Sequence, residues 1–254
     1  MTLERITSPL LKPFSHGFYT RKGGASSGIF SGLNCGIAST DQAEIVSINR
    51  GRVAQDMGVT AQHLLTAHQT HSAEVIAIDA PIKPDTIADG LVTATPQLAL
   101  GVLSADCQPV LFADPQAGVV GATHAGWRGA LDGVLETTVD AMEGLGAQRE
   151  NISAVIGPCI SQVAYEVGQE FFERFADHDP KALQYFINSQ NVGKYLFDLP
   201  GYGVNRLRRA GIKTAEWTTH CTYSDAQRFF SYRRSTHMGD ADYGRLIATI
   251  KLGT

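Results

Sequence analysis

Residues 98–126 constrain the fold most, because three apolar stretches follow one another there with almost no chain between them. LALGVLSADCQPVLFAD (98–114) reads as two buried strands with a break around 105–109, and GVVGATHAG (118–126) as a third, joined through the turn-like DPQAG (114–118). Elements of both periods surround them. FSHGFYT (14–20), HLLTAHQ (63–69), AEVIAID (73–79) and ISAVIGP (152–158) read as strands, with further strands near 214–219 and 228–232. QAEIVSINRGRVAQDMG (42–58) carries apolar residues at 45, 46, 48, 53 and 57, which predicts an amphipathic helix with Asp41 as its N-cap. RGALDGVLETTVDAMEGLG (128–146), VGQEFFERFAD (167–177) and a segment near 200–210 read as helices, the first closed by Gly144 or Gly146. Mixed strands and helices with hairpin-length turns predict α+β layers in a single domain over 1–254.

Composition narrows the function. A net charge of −4 gives no electrostatic footprint for nucleic acid, and Arg206, Arg208 and Arg209 fit the polar face of a helix. No apolar run approaches the ~20 residues of a membrane span, and MTLERITSPLLKPF lacks the marks of a signal peptide. Four cysteines (Cys35, Cys107, Cys159, Cys221) in 254 residues make no disulfide framework. The expectation is a soluble, cytoplasmic protein with neither a nucleic-acid nor a membrane partner. Its oligomeric state is left open.

Three residues in unusual local sequence make a soft donor set: His71 in HQTHS (68–72), Cys107 in SADCQPV (104–110) and His124 in THAGWRG (123–129). Two imidazoles and a thiolate with an open fourth position are what distinguishes catalytic from structural zinc. Their separations, 36 and 17 residues, do not match zinc fingers or ribbons. Each has a plainer reading. A cysteine is most often a small buried hydrophobe, although Pro109 should break the chain here or bring it to a sheet edge. If HLLTAHQ is a strand, alternation puts His68 and His71 on opposite faces, so only one is a ligand, and spacing scarcely favours His71.

The strand-to-helix turn AGWRG leaves N–H groups free for an anion, with Arg128 as a further donor; otherwise Trp127 is core, Gly126 a turn residue and Arg128 a surface cap. Arg21 beside two glycines and Arg233 with Arg234 in FFSYRR are further candidates for phosphate, or simply surface residues. Glu166 either caps the helix after it or acts chemically. KGGASSGIFSGLN (22–34), with four glycines, suits a flexible loop near a ligand. There is no GxGxxG or P-loop.

HQTHS, ADGLVT, SADCQPVLFAD, HAGWRG, GPCISQVAYEVGQE and CTYSDAQRFFSYRR occur in that order. Together they resemble the bacterial family variously called polyphenol oxidase or laccase-domain protein, peptidoglycan editing factor and purine nucleoside phosphorylase, over roughly 14–248. The resemblance implies a layered α/β/β/α sandwich with mixed sheets, of a fold shared with a toxin deamidase. It implies zinc on His71, Cys107 and His124, which prefers His71 to His68 and gives the three a catalytic role. It also implies phosphorolysis of adenosine, inosine, guanosine and methylthioadenosine, and deamination of adenosine, with purine nucleoside and phosphate as partners. Arg21, Arg128 and Arg233 are then the candidates to hold phosphate, and the acid for purine N7 stays unidentified. Copper would also suit these ligands.

Competing readings are an amide hydrolase editing peptidoglycan precursors through the metal or Cys107, a copper-dependent polyphenol oxidase, and a non-catalytic metal-binding module. The eight histidines contain no His-x-His pair of the multicopper kind, and neither an exposed apolar patch nor an acidic tail marks a partner-binding module. Cys35, in SGLNCG, stands where an aliphatic residue is expected and is left out of the site.

Overall fold

The computed structural model describes residues 3–253, so both ends of the expected 1–254 domain lie just outside it. A five-stranded sheet runs in the order β1 (Arg5–Ile6), β2 (Ser15–Tyr19), β14 (Leu246–Lys251), β6 (Ala99–Ser104), β3 (Leu64–Leu65). A six-stranded sheet runs β13 (Thr214–Trp217), β9 (Ser153–Ile156), β7 (Gln108–Asp114), β8 (Val119–Ala125), β5 (Gly90–Thr93), β4 (Val75–Ala77). A small sheet joins β10 (Glu166–Gly168), β12 (Lys194–Phe197) and β11 (Phe186–Asn188). The two large sheets are mixed: β3/β6, β4/β5 and β9/β13 are parallel, and their other pairs antiparallel.

Period-two alternation assembles the layers. Leu111 and Ala113 of β7 point to one side, where they meet Leu100, Val102, Ala248 and Ile250 of the other sheet. Val110 and Phe112 point to the opposite side and pack under α3 (Val134–Gly144) and α5 (Leu199–Arg209). On the outer face of the five-stranded sheet, Val53 and Ala54 of α1 (Ala43–Asp56) cover Tyr19, Ala99 and Ile247. The result is the expected α/β/β/α sandwich. β7 and β8, covered on both faces, bury every residue, each large apolar side chain contributing ~1.5–3 kcal/mol, which is why 109–113 and 119–122 read as apolar runs. No helix among the described residues is long and apolar enough to cross a membrane.

Several local expectations are corrected. The helix over 128–146 is two, α2 (Trp127–Asp132) and α3, parted at Gly133 with φ 101°. Residues 228–232 form no strand; Phe229 and Phe230 are buried and lead into α6 (Tyr232–Met238). The strand β14, which had no counterpart in the periodicity analysis, lies between β2 and β6. Gln42, not Asp41, is the N-cap residue of α1, and Asp41 instead accepts from Asn34 Nδ2 at 3.0 Å. Within α1, Ile48 is exposed and Asn49 fully buried. Asn49 donates to Ser26 Oγ and the Asn34 carbonyl, both at 2.9 Å, and accepts from Ala25 N at 2.8 Å. The glycine-rich 22–34 loop is thereby tied to a helix.

Pro109 does not break its strand: it lies inside β7, paired with His124. Its carbonyl accepts from Gly157 N at 2.8 Å, just past the end of β9. A residue in an antiparallel ladder turns its N and O to the same neighbour, so the missing N–H faces the place where β9 has already ended.

Candidate metal centre

β6 and β7 belong to different sheets, and the chain passes between them through Ala105, Asp106 and Cys107. Asp106 sits in this crossing at φ 90°. Its buried carboxylate accepts from Thr222 Oγ1 at 2.6 Å, Ser231 Oγ at 2.9 Å and Arg233 N at 2.7 Å. Burial raises the pKa of Asp106 even against these bonds. The crossing is thus clamped from the 222–233 segment, and Cys107 projects from it half-buried.

His124 is the penultimate residue of β8 and is buried. His71 is exposed, in a turn at φ 61° rather than in a strand. One carboxylate organises both. Asp89, immediately before β5, accepts from Thr70 N and His71 N (3.1 Å each), Ser72 N (2.7 Å), Ser72 Oγ (2.8 Å) and His124 Nδ1 (2.9 Å). The same turn is pinned to β6 by Gln69, whose side chain donates to Leu103 O and accepts from Leu103 N, each at 2.8 Å. Left-handed backbone at non-glycine residues costs ~1–3 kcal/mol and persists only where the surroundings over-determine it. Here two such residues flank or form the donor set.

The donor atoms of His71, Cys107 and His124 all lie within 4.8 Å of one another, the only such group among the described residues. Cys107 Sγ is 3.8 Å from His71 Nε2, and the two imidazoles meet edge to face with ring centroids 4.8 Å apart. Gly126 makes that closure fit: a Cβ there would lie 2.8 Å from His71 Cδ2 and 3.0 Å from Cys107 Sγ.

The electrostatics favour a thiolate. Burial raises the Cys107 thiol, but the His124 imidazolium and hydrogen bonds from His124 and His71 outweigh it and hold the thiol down to about 7. Burial opposes charge on His124, yet Cys107 and Asp89 raise it to about 9. For Asp89, burial works against ionisation and the bonds from His124 and Ser72 prevail, bringing it to about 2. Two nitrogens and a polarised sulfur, with one imidazole oriented by a carboxylate, are chemically suited to zinc or copper.

The other candidates are placed differently. His68 does not face away from His71: both line one cavity of about 520 Å³ with Cys107 and His124, because the turn at His71 breaks strand alternation. Arg21 is not brought to the cluster. Its Nε and Nη2 donate to Ser31 O, its Nη1 donates to Ala226 O, and the guanidinium lies 4.3 Å over the Phe230 ring. Arg128 is exposed and lines neither cavity at the centre. Arg233 does reach the centre, lining an adjoining cavity of about 410 Å³ with Tyr165, Trp127 and Phe171. Glu166 caps no helix; Ser189 Oγ (2.5 Å) and Asn191 Nδ2 (2.8 Å) hold its carboxylate.

Cys35 is fully buried in the α1 layer, where burial pushes its thiol up to about 12, consistent with its exclusion from the site. The residues missed by sequence reasoning are Asp89 and Arg245. Asp89 lay in plain view in ADGLVT, but a carboxylate before a strand has no local signal for five donors that come from elsewhere.

With the geometry described, comparison with known proteins gives a consistent result. A family model described as multi-copper polyphenol oxidoreductase laccase matches residues 15–253. A Deinococcus radiodurans protein named purine nucleoside phosphorylase is 37% identical over 237 residues, covering 93% of this chain and 88% of its own. A Haemophilus influenzae protein of the same name is 37% identical over 227 residues, covering 88% and 91%. Among solved structures, a Neisseria meningitidis protein superposes with a TM-score of 0.88 at 35% identity over the whole of both chains. YlmD of Geobacillus stearothermophilus superposes with a TM-score of 0.91 at 26% identity, over 100% of this chain and 97% of that one. The motifs that converge on the cluster, the two-sheet sandwich that brings them there and a match across nearly the whole sequence agree, and the chain belongs to the laccase-like multi-copper polyphenol oxidoreductase family.

Proposed function

We propose that this protein is a zinc-dependent purine nucleoside phosphorylase that also deaminates adenosine. The observation that carries the reading is the convergence of His71, Cys107 and His124 at the meeting of two cavities. It is supported by the names of relatives 37% identical over most of the chain. Zinc held by these three residues would supply Lewis acidity towards an oxygen of water or substrate. The chain's own residues do the rest. Asp89 holds His124 Nδ1, which leaves Nε2 as the nitrogen that would bind once its proton is displaced, and the same carboxylate holds the His71 turn in place. Trp127, Tyr165 and Phe171 offer apolar surface for a flat base, and Arg233 stands among them as a hydrogen-bond donor.

Among the described residues one three-donor cluster is present, which supports one metal rather than a multicopper centre. The test is an assay of zinc-loaded protein with adenosine, with and without phosphate. Adenine formed only with phosphate indicates phosphorolysis, and inosine indicates deamination. Cys107→Ala should abolish both and lower the zinc content. Neither product from the parent protein would overturn the proposal.

A second reading has its own observation. Cys107, His124 and Asp89 stand in the order of a thiol nucleophile, its base and an orienting carboxylate. That order supports amide hydrolysis, with peptidoglycan precursors as the substrate class. Hydrolysis of such an amide that survives complete chelation of metal would select it.

A further inference from the structure

Displacement at C1′ of a nucleoside puts incoming phosphate and departing purine on opposite sides of the sugar. A site for it needs two ends of different chemistry. Two cavities adjoin here, sharing His71, Ala105, Cys107 and Tyr232. Both have largely apolar walls; beyond the shared edge the first adds His68, Gln69, Ser104 and Arg245 to Ile37, Ala67 and Leu103, and the second sets Arg233 among Trp127, Tyr165 and Phe171.

We propose that Arg245 anchors the phosphate in the first cavity while Arg233 receives the purine in the second, among its aromatic rings. The proposal rests on the phosphorylase reading and assigns its two ends. Arg245 is built to present its guanidinium. Its N donates to Asn34 Oδ1 at 2.9 Å, and its O accepts from Cys35 N at 3.0 Å. Its stem crosses Gly36, where a Cβ would meet Arg245 Cδ at 2.5 Å, and its guanidinium lies 4.2 Å over the Tyr243 ring. Only Nη1 is engaged among the described residues, with Tyr243 O at 2.9 Å and, more loosely, Asp242 Oδ1 at 3.5 Å. Asp242 is largely occupied by Thr40, accepting from its N at 2.7 Å and its Oγ1 at 3.0 Å. Nε and Nη2 remain to grip two oxygens of one oxyanion, the geometry for which arginine is suited.

Arg233 is differently placed. Its Nη1 donates to Glu166 O at 2.8 Å, and its guanidinium lies 5.3 Å over the Tyr165 ring, within an apolar wall. Flat bases stack on such walls. An arginine fork beside them matches the N7 and O6 acceptors of a 6-oxopurine such as that of inosine or guanosine, and N7 alone of adenine. The sequence candidates for phosphate are therefore reordered. Arg245 takes the anion, Arg233 takes the base, and Arg21 and Arg128 take neither. In the reaction a phosphate oxygen bonds to C1′ and the C1′–N9 bond breaks, its electron pair passing to the purine. The proton lost from monohydrogen phosphate as it becomes an ester ends on a purine nitrogen. The Arg233 hydrogen bond at N7 stabilises the charge before that proton arrives.

The test uses the full-length zinc-loaded protein and its Arg245→Gln, Arg245→Lys and Arg233→Gln variants, varying inosine and phosphate independently. Arg245→Gln should raise KM for phosphate about tenfold or more and leave KM for inosine nearly unchanged. Arg245→Lys should recover part of the loss, and Arg233→Gln should show the opposite split. The reverse pattern, or equal effects on both substrates, overturns the assignment. Calorimetric titration of inorganic phosphate separates the two hypotheses. Binding that needs Arg245 but not Arg233 in a protein that turns nothing over sinks the phosphorylase reading and keeps the anion site. Turnover with phosphate binding untouched by Arg245→Gln sinks the anion site alone. Thermal unfolding of each variant checks the fold, and Arg245→Lys carries the test if Arg245→Gln unfolds.

Discussion

Gly126→Ala should remove the metal centre while leaving the fold intact. Gly126 has φ −66° and ψ 170°, backbone that alanine adopts freely, so the change acts only through the new methyl group. That group would lie 2.8 Å from His71 Cδ2 and 3.0 Å from Cys107 Sγ. Comfortable contact begins near ~3.5 Å, so His71 must retreat from the methyl by ~0.7 Å and Cys107 by ~0.5 Å. His71 is exposed and can swing away. The cost to folding is therefore well under the ~1–3 kcal/mol of a buried overpacking, and is partly offset by the lower entropy of the unfolded chain. The cost to the metal is larger, since coordination distances tolerate only about 0.2 Å. Zinc affinity should fall by ~100-fold or more, beyond the ~10–100-fold of an outer-sphere change. The assay is a zinc competition titration against a chromophoric chelator, paired with thermal unfolding of the metal-free protein. Parent-like zinc affinity in Gly126→Ala would refute the claim that this glycine lets the donors meet. A collapse in metal-free stability would show that His71 cannot move aside.

Other expectations follow from the same contacts. Asp89→Asn replaces an acceptor of five hydrogen bonds by an amide that turns donors towards donors. It should destabilise the protein by ~3–5 kcal/mol in chemical denaturation and weaken zinc ~10–100-fold. Asp89 is held to about 2, so its stabilisation of ~2–3 kcal/mol is fully present above its unfolded value near ~3.9 and fades as pH falls towards 2; acid titration of stability should lose this limb in Asp89→Asn. In the metal-free protein the Cys107 thiolate should appear, by its ultraviolet absorbance, with a midpoint near 7, and this signal should vanish in Cys107→Ala. Because His124 holds its proton to about 9, zinc must displace that proton, and affinity should climb with pH up to that range. Asn49→Leu should cost ~2–4 kcal/mol, since it leaves Ala25 N and the Asn34 carbonyl without their buried partner; an unchanged denaturation midpoint would show that α1 does not hold the 22–34 loop.

The presence and covering of the central strands are written in the sequence. Three short apolar runs between 98 and 126 read as buried strands, and the helical periodicities supplied their cover. The candidate donors were legible too, because Cys107 and His124 stand at or near the ends of those runs, at the rim of the core. What sequence could not show is whatever depends on two distant segments. Adjacent strands β6 and β7 enter different sheets, so the break between them, which sequence marked only as an interruption, is the crossing that presents Cys107. His68 and His71 face one cavity because Asp89 bends the chain into a turn, and no count of residues reveals a bend imposed from 18 residues away. Ile48 and Asn49 exchanged their expected environments because the loop over α1 carries unpaired backbone groups that only an amide satisfies. Local pattern fixes which face of a strand or helix is apolar, since that is a property of neighbours in the chain. Which polar groups meet across the fold is decided by tertiary packing, where each buried donor must find its acceptor wherever the chain has placed one.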